Sequence, residues 1–188
     1  MSEIRQRIIF FKTALSDRNV AALTMSSKYV VKNVLKRFSK PLEMVVECGS
    51  GDGAVTRAVL EHVSPQGKFF AIESNAGFVD ALKRIEDPRL KVLHARAEQV
   101  LAHSDAYQIN CPDLIMASLP FSFFDPAARI KLVEDAYRIL SPGGMLIIFY
   151  QYSFLMRGIM RKIFGAASLS CELRNIPPCF IISARKGP

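Results

Sequence analysis

The sequence predicts a doubly wound α/β fold: a mostly parallel seven-stranded sheet with helices on both faces. Two observations predict it. From Leu42 onward, short apolar runs alternate with segments of helical periodicity, the order expected of strand–helix–strand units. The runs are nearly continuous in apolar character, as in parallel strands covered on both faces.

The elements follow in order. Apolar runs at Glu43–Cys48, Lys68–Ile72, Leu90–Leu93, Leu114–Ala117 and Met145–Tyr150 read as the parallel strands. Helical patterns lie between them at Ala54–His62, Ala76–Ile85 and Ala127–Leu140, with Asn75 a cap for the second. Ser141-Pro142-Gly143-Gly144 is a turn carrying both breakers. A basic helix, Phe154–Phe164, carries Arg157, Arg161 and Lys162, and two late strands near Leu169–Leu173 and Phe180–Ala184 complete the seven. Upstream, Ile4, Ile8, Phe11 and Leu15 recur on one helical face with Arg5, Arg7 and Lys12 off that stripe. Such a basic amphipathic helix suits either a membrane interface or packing on the domain core. Ser26 or Ser27 caps a second helix, Lys28–Phe38, and Pro41 ends the extension. The chain thus divides into basic helices over 1–40 and an α/β domain over 41–188.

Composition narrows the function classes. A chain of 188 residues, half of them hydrophobic, suits one domain with a full core and excludes disorder. No apolar run approaches the ~18 residues of a membrane span. The longest apolar run near the N-terminus, Ile8–Phe11, is too short for a signal-peptide core, so the chain is expected in the cytoplasm. Cys48, Cys111, Cys171 and Cys179 lack C-x-x-C spacing and read as buried free thiols; a Cys171–Cys179 bridge would be unusual in a reducing compartment. His62, His94 and His103 lack metal-ligand spacing, and no metal is expected. The net charge of +8 is unevenly spread. Residues 1–40 hold nine Lys/Arg against Glu3 and Asp17, and residues 150–188 hold six against Glu172, whereas the middle is acidic. Basic ends on an acidic body suggest an anionic partner, a membrane surface or a nucleic acid.

The most specific stretch is Val45-Val46-Glu47-Cys48-Gly49-Ser50-Gly51-Asp52-Gly53. A strand ends in an acid, glycine takes every second position, and a helix follows. Glycine lets such a turn pass close to a ligand without a Cβ clash. A dinucleotide fingerprint places its third glycine three residues after the second, and this chain does not. The pattern E-x-G-x-G-x-G resembles motif I of the class I S-adenosylmethionine (SAM)-dependent methyltransferases, and Leu140-Ser141-Pro142-Gly143-Gly144-Met145-Leu146 resembles the turn before their fifth strand. The resemblance implies a Rossmann-like methyltransferase fold with SAM as cofactor. It implies cofactor contacts from Glu47, Gly49, Gly51 and Gly53 and a ribose contact from Glu73, followed by Ser74. Glu73 alone does not separate SAM from NAD, since its spacing fits both. After the third strand, Arg96 stands where such enzymes often carry an adenine-binding Asp; Glu98 and the Ala97 amide are the substitutes.

Asp113-Leu114-Ile115-Met116-Ala117-Ser118-Leu119-Pro120-Phe121 resembles the acceptor loop of two amine-methylating groups, the ribosomal RNA adenine dimethylases and the bacterial phospholipid N-methyltransferases. Three features are similar to the lipid group: Ser118 in place of Asn, Arg174-Asn175-Ile176-Pro177-Pro178 near the end of the chain, and the aromatic stretch Phe149-Tyr150-Gln151-Tyr152-Ser153. That resemblance implies methylation of phosphatidylethanolamine toward phosphatidylcholine by a chain held peripherally on the inner face of an anionic membrane. Ser118 serves both cofactor and acceptor, Leu119, Pro120 and Phe121 wall the transfer channel, Tyr152 orients the amine, and Arg174 and Asn175 hold the lipid. An RNA adenine or small-molecule amine acceptor is the alternative.

Overall fold

The computed structural model describes residues 28–37, 41–150, 155–174 and 179–188. The Ile4–Leu15 stripe, the cap at Ser26 or Ser27, Tyr152 and Asn175 lie outside them. Seven strands form one sheet: β1 (Leu42–Cys48), β2 (Val63–Glu73), β3 (Leu90–His94), β4 (Leu114–Ala117), β5 (Met145–Tyr150), β6 (Ser168–Glu172) and β7 (Cys179–Arg185). The spatial order is β3-β2-β1-β4-β5-β7-β6. All pairings from β3 to β5 are parallel, and β7 lies antiparallel between β5 and β6. The order reverses direction between β1 and β4. That is the switch point at which open α/β sheets form a crevice beyond the strands' carboxyl ends.

The helices are α1 (Lys28–Leu35), α2 (Ala54–Leu60), α3 (Ala76–Lys83), α4 (Ala97–Ala102), α5 (Pro126–Ile139) and α6 (Leu155–Phe164). Each strand feeds two cores because successive side chains point to opposite faces. Val45 packs with Val34, Val59 and Leu82 from α1, α2 and α3. Its neighbour Val46 packs with the other core, which holds Val100, Leu132 and Met160 from α4, α5 and α6. This is the physical reason for the near-continuous apolar runs.

The boundaries follow local chemistry. Asn75 caps α3 as expected, its Oδ1 accepting from the Gly77 and Phe78 amides at 3.0 and 3.3 Å. In the Ser141–Gly144 turn the Gly144 amide donates to the Ser141 carbonyl at 2.8 Å, and Gly143 sits at φ 75°. Glycine at that position is what a type II turn requires. Three expectations change. β2 starts five residues early, at Val63, because Pro65 and Gly67 are carried inside a strand rather than in a turn. α4, AEQVLA, is only six residues long and falls where the sequence predicts no helix. The cysteines are all free, but Cys111 and Cys171 are exposed rather than buried. Cys171 lies opposite Phe180 and Cys179 opposite Glu172, so the two thiols occupy opposite faces of the β6–β7 pair.

Candidate active site

The glycine loop connects β1 to α2. Gly49 adopts φ +78°, and a Cβ there would lie 2.5 Å from the Ser118 carbonyl oxygen and 3.0 Å from the Leu119 side chain. Only glycine permits this approach between the β1 and β4 loops. The loop is bound to its neighbours by main-chain hydrogen bonds: the Gly49 amide donates to the Ile72 carbonyl, and the Ser118 amide to the Cys48 carbonyl, both at 2.9 Å.

Glu73 closes the end of β2. One carboxylate oxygen accepts from the Gly51 amide at 2.9 Å; the other accepts from the Ser74 and Asn75 amides, each at 2.8 Å. A carboxylate offers about four acceptor positions, so three are filled by the chain itself and one is open. Glu73 therefore ties the glycine loop to β2 besides facing the ligand space. Glu47 is buried behind the loop, its carboxyl held by the Thr56 hydroxyl. Burial pushes that carboxyl up to about 8, against the hydrogen bonds from Thr56 and Ser50 and with the charges of Asp52 and Glu73 adding to the rise.

Beyond these strand ends lies a cavity of about 420 Å³. That is within the range of small-molecule sites. Of the residues expected to bind cofactor or acceptor, Gly49, Glu73, Ser74, Ala97, Glu98, Ser118, Leu119 and Pro120 all line it. Ile72, Asn75, Ala95, Arg96 and Phe124 complete most of the wall. At its rim Arg96 pairs with Glu98 at 2.9 Å, so the two residues in the adenine-contact segment neutralise each other. Glu47, Gly51, Gly53 and Arg174 do not line the cavity. Gly51 acts through its amide on Glu73. Gly53, at φ +80°, begins α2 where a Cβ would meet Ile85 and Leu82 at 2.9 and 3.0 Å. Arg174 engages Glu172 through Nε and Nη2 at 2.7 and 2.9 Å.

Phe121 does not line this cavity. It is buried in the core at 1% exposure. Pro120 sits at φ −75° and ψ 66°, and the Phe121 amide donates to the Leu119 carbonyl at 2.8 Å. That is an inverse γ-turn, which proline's fixed φ favours. It turns the chain back after Leu119 and sends Phe121 inward; Phe124, in ring contact with Phe121, takes the place on the cavity wall. Arg129 of α5 fixes the loop, its Nε donating to the Phe121 carbonyl at 2.8 Å. Sequence patterning offered no signal for Arg129, because its partners are main-chain carbonyls.

The residues present fit an adenosine-bearing cofactor. The Gly49 cradle would be filled by any Cβ, Glu73 keeps an acceptor facing the cavity, and Leu119, Pro120 and Phe124 supply apolar wall. A crossover at the switch point, a glycine loop and an acid at the end of the next strand together define a nucleotide-cofactor fold of the Rossmann-like class. The family model described as a methyltransferase domain matches residues 45–144, and the chain belongs to that family, the SAM-dependent methyltransferases. Carboxy-S-adenosyl-L-methionine synthase of Yersinia pestis (strain Pestoides F) is 24% identical over 133 residues, covering 69% of this chain and 48% of that protein. The chain spans about half the length of the curated relatives it matches. N-methyltransferase NodS from Bradyrhizobium japonicum WM9, in complex with S-adenosyl-L-homocysteine, superposes with a TM-score of 0.68 at 14% identity, over 87% of this chain and 90% of that one. Burkholderia thailandensis 1,6-didemethyltoxoflavin-N1-methyltransferase gives a TM-score of 0.70 at 13% identity, over 97% and 88%. At these identities the likeness is one of fold.

Proposed function

We propose that the chain transfers a methyl group from SAM to the ethanolamine amine of phosphatidylethanolamine, toward phosphatidylcholine. The observation that carries the reading is that Ser118, Leu119 and Pro120 of the amine-acceptor loop line the same cavity as Gly49 and Glu73 of the cofactor loops. Two of the structurally similar proteins are themselves N-methyltransferases. The S-L-P-F loop and the N-x-P-P segment carry the lipid part, and the basic ends of the sequence suit an anionic membrane.

Bound SAM supplies an electrophilic methyl group at the cavity. The chain's own residues must make an amine nucleophilic there. A primary alkylammonium has a lysine-like pKa near ~10.4, so freeing the amine at pH 7 costs roughly 4–5 kcal/mol. Leu119, Pro120 and Phe124 lower that cost by disfavouring the cation. Holding amine and methyl donor in line reduces the remaining barrier. In this reading Ser118 orients the acceptor, with Tyr152 and Asn175 as further members of the same proposal.

Radiolabelled SAM offered with phosphatidylethanolamine vesicles, ribosomal RNA and small amines tests the reading. Label in the lipid fraction supports it. Label in RNA or only in a small amine, with none in lipid, overturns the lipid assignment.

A further inference from the structure

Three phenylalanines within four residues meet three environments. Phe121 is buried in the core, Phe123 is 61% exposed, and Phe124 is half-buried on the cavity wall. In a 3-10 turn, side chains three residues apart stack on one side. Phe121 and Phe124 do so, with ring centroids 5.7 Å apart, and Phe121 backs Phe124 from the core. Among the described residues Phe124 is the one aromatic side chain that lines the cavity.

Phe124 is held from α5. Its amide donates to the Phe121 carbonyl at 3.2 Å, and Arg129 Nε donates to that same carbonyl at 2.8 Å. Arg129 Nη2 reaches the Ser122 carbonyl at 3.4 Å. The guanidinium thus serves carbonyls at the end of a short turn, where helical turns leave them without partners. Phe124 itself is extended, at φ −81° and ψ 140°. Asp125 then caps α5 and Pro126 opens it, so the step from Phe124 into the helix is fixed as well. The ring therefore stands on a bracket built by α5. The ties of Gly49, Gly51 and Ser118 run instead to β1 and β2.

Resting on the lipid-amine methylation reading, we propose that Phe124 limits the size of the amine the site accepts, and with it the number of methyl groups transferred, and that Arg129 is the positioning residue that keeps the ring in place. In each round the amine lone pair forms the N–C bond as the C–S bond of SAM breaks, and S-adenosylhomocysteine leaves. The new ammonium gives up one proton to solvent before the next round. An amine returning for that round is bulkier by one carbon. A rigid apolar wall discriminates a step of that size by roughly 10–200-fold. Cutting back Phe124 changes this discrimination without loosening the Gly49 cradle.

Labelled SAM offered with vesicles of phosphatidylethanolamine, or of its monomethyl or dimethyl derivative, gives the selectivity directly. In Phe124→Ala the ratio of kcat/KM for the dimethyl over the unmethylated lipid should rise about tenfold or more, with affinity for S-adenosylhomocysteine by calorimetry within about twofold of wild type. Arg129→Ala should move the same ratio in the same direction. Arg129→Lys, which can still serve one carbonyl, should restore part of it. Phe124→Ala combined with Arg129→Ala should match Phe124→Ala alone, because Arg129 acts through the ring; additive shifts would overturn the positioning role. The sequence contains no tryptophan, so Phe124→Trp is a single fluorescent reporter that needs no turnover. With S-adenosylhomocysteine bound, its emission should shift on adding short-chain phosphatidylethanolamine. A reporter that answers S-adenosylhomocysteine but not the amine, or an unchanged ratio in Phe124→Ala, overturns the inference. Wild-type label in RNA or a small amine but not in lipid overturns the lipid reading instead; the same ratio, taken over the methylation states of that acceptor, then tests Phe124 by itself.

Discussion

Replacing Glu47 with glutamine should flatten the pH dependence of stability. The carboxyl is 1% exposed and titrates near 8 in the folded chain, chiefly because burial penalises its charge. In the unfolded chain it returns to its ordinary 4.5. Between those values the folded state holds a proton that the unfolded state has released, so the contribution is fully present below pH 4.5 and is lost as pH rises through about 8. Each pH unit in that window removes about 1.4 kcal/mol. The accumulated loss is about 3 kcal/mol at pH 7 and about 5 kcal/mol above pH 8, as orders of magnitude. Glu47→Gln has no proton to release and keeps an acceptor for the Thr56 hydroxyl. Urea denaturation of both proteins at pH 5, 6, 7 and 8 gives the comparison. The free-energy difference, variant minus wild type, should grow by about 3 kcal/mol from pH 5 to pH 7. The slope with pH is the test, because any fixed cost of the amide cancels. Parallel stability curves would refute the buried neutral carboxyl.

Three further outcomes are expected. Gly49→Ala places a Cβ 2.5 Å from the Ser118 carbonyl at a left-handed φ, and should cost about 1–3 kcal/mol in stability and at least tenfold in SAM affinity by calorimetry; undiminished affinity would separate the cradle from the cofactor site. Glu73→Ala removes the acceptor for three amides as well as the one facing the cavity, so both thermal stability and SAM affinity should fall; a variant that loses affinity alone would show that the loop does not depend on those bonds. Asp125→Ala removes the cap that accepts from the Ala128 amide at 2.8 Å, and should cost about 1 kcal/mol on chemical denaturation with SAM affinity unchanged.

What was legible in the sequence was whatever depends on period and punctuation. The parallel strands declared themselves because burial on both faces removes polar alternation, and the glycine loop because a close approach excludes every other residue type. Asn75 was legible as a cap for the same local reason. What depends on three-dimensional direction was not legible. Phe121 and Phe124 are both aromatic residues of one loop, and only the γ-turn at Pro120 decides which of them faces the cavity. Glu73 could be placed at the end of β2, but that its carboxylate is mostly spent on main-chain amides follows from the fold of the loop around it. Arg129 and the length of β2 were hidden because their determinants are carbonyl positions and sheet pairing rather than side-chain pattern.

The glycine loop and the Ser118 loop are one mechanical unit. Gly49 is bonded to Ile72 of β2, Gly51 to Glu73, Ser118 to Cys48 of β1, and Ala95 to the Glu73 carbonyl. The ends of β1, β2, β3 and β4 are therefore cross-tied at the edge where the sheet order reverses. A shift of the Ser118 loop moves its carbonyl against Gly49, where the gap is already too small for a methyl group. Changes that widen the cavity at Leu119 or Pro120 must then be transmitted to the Gly49 cradle, while changes at Phe124, which lies beyond the γ-turn and outside these ties, need not. If the proposed acceptor shares this cavity, its preference is most separable from cofactor affinity at Phe124, the one aromatic residue of the loop that lines the cavity.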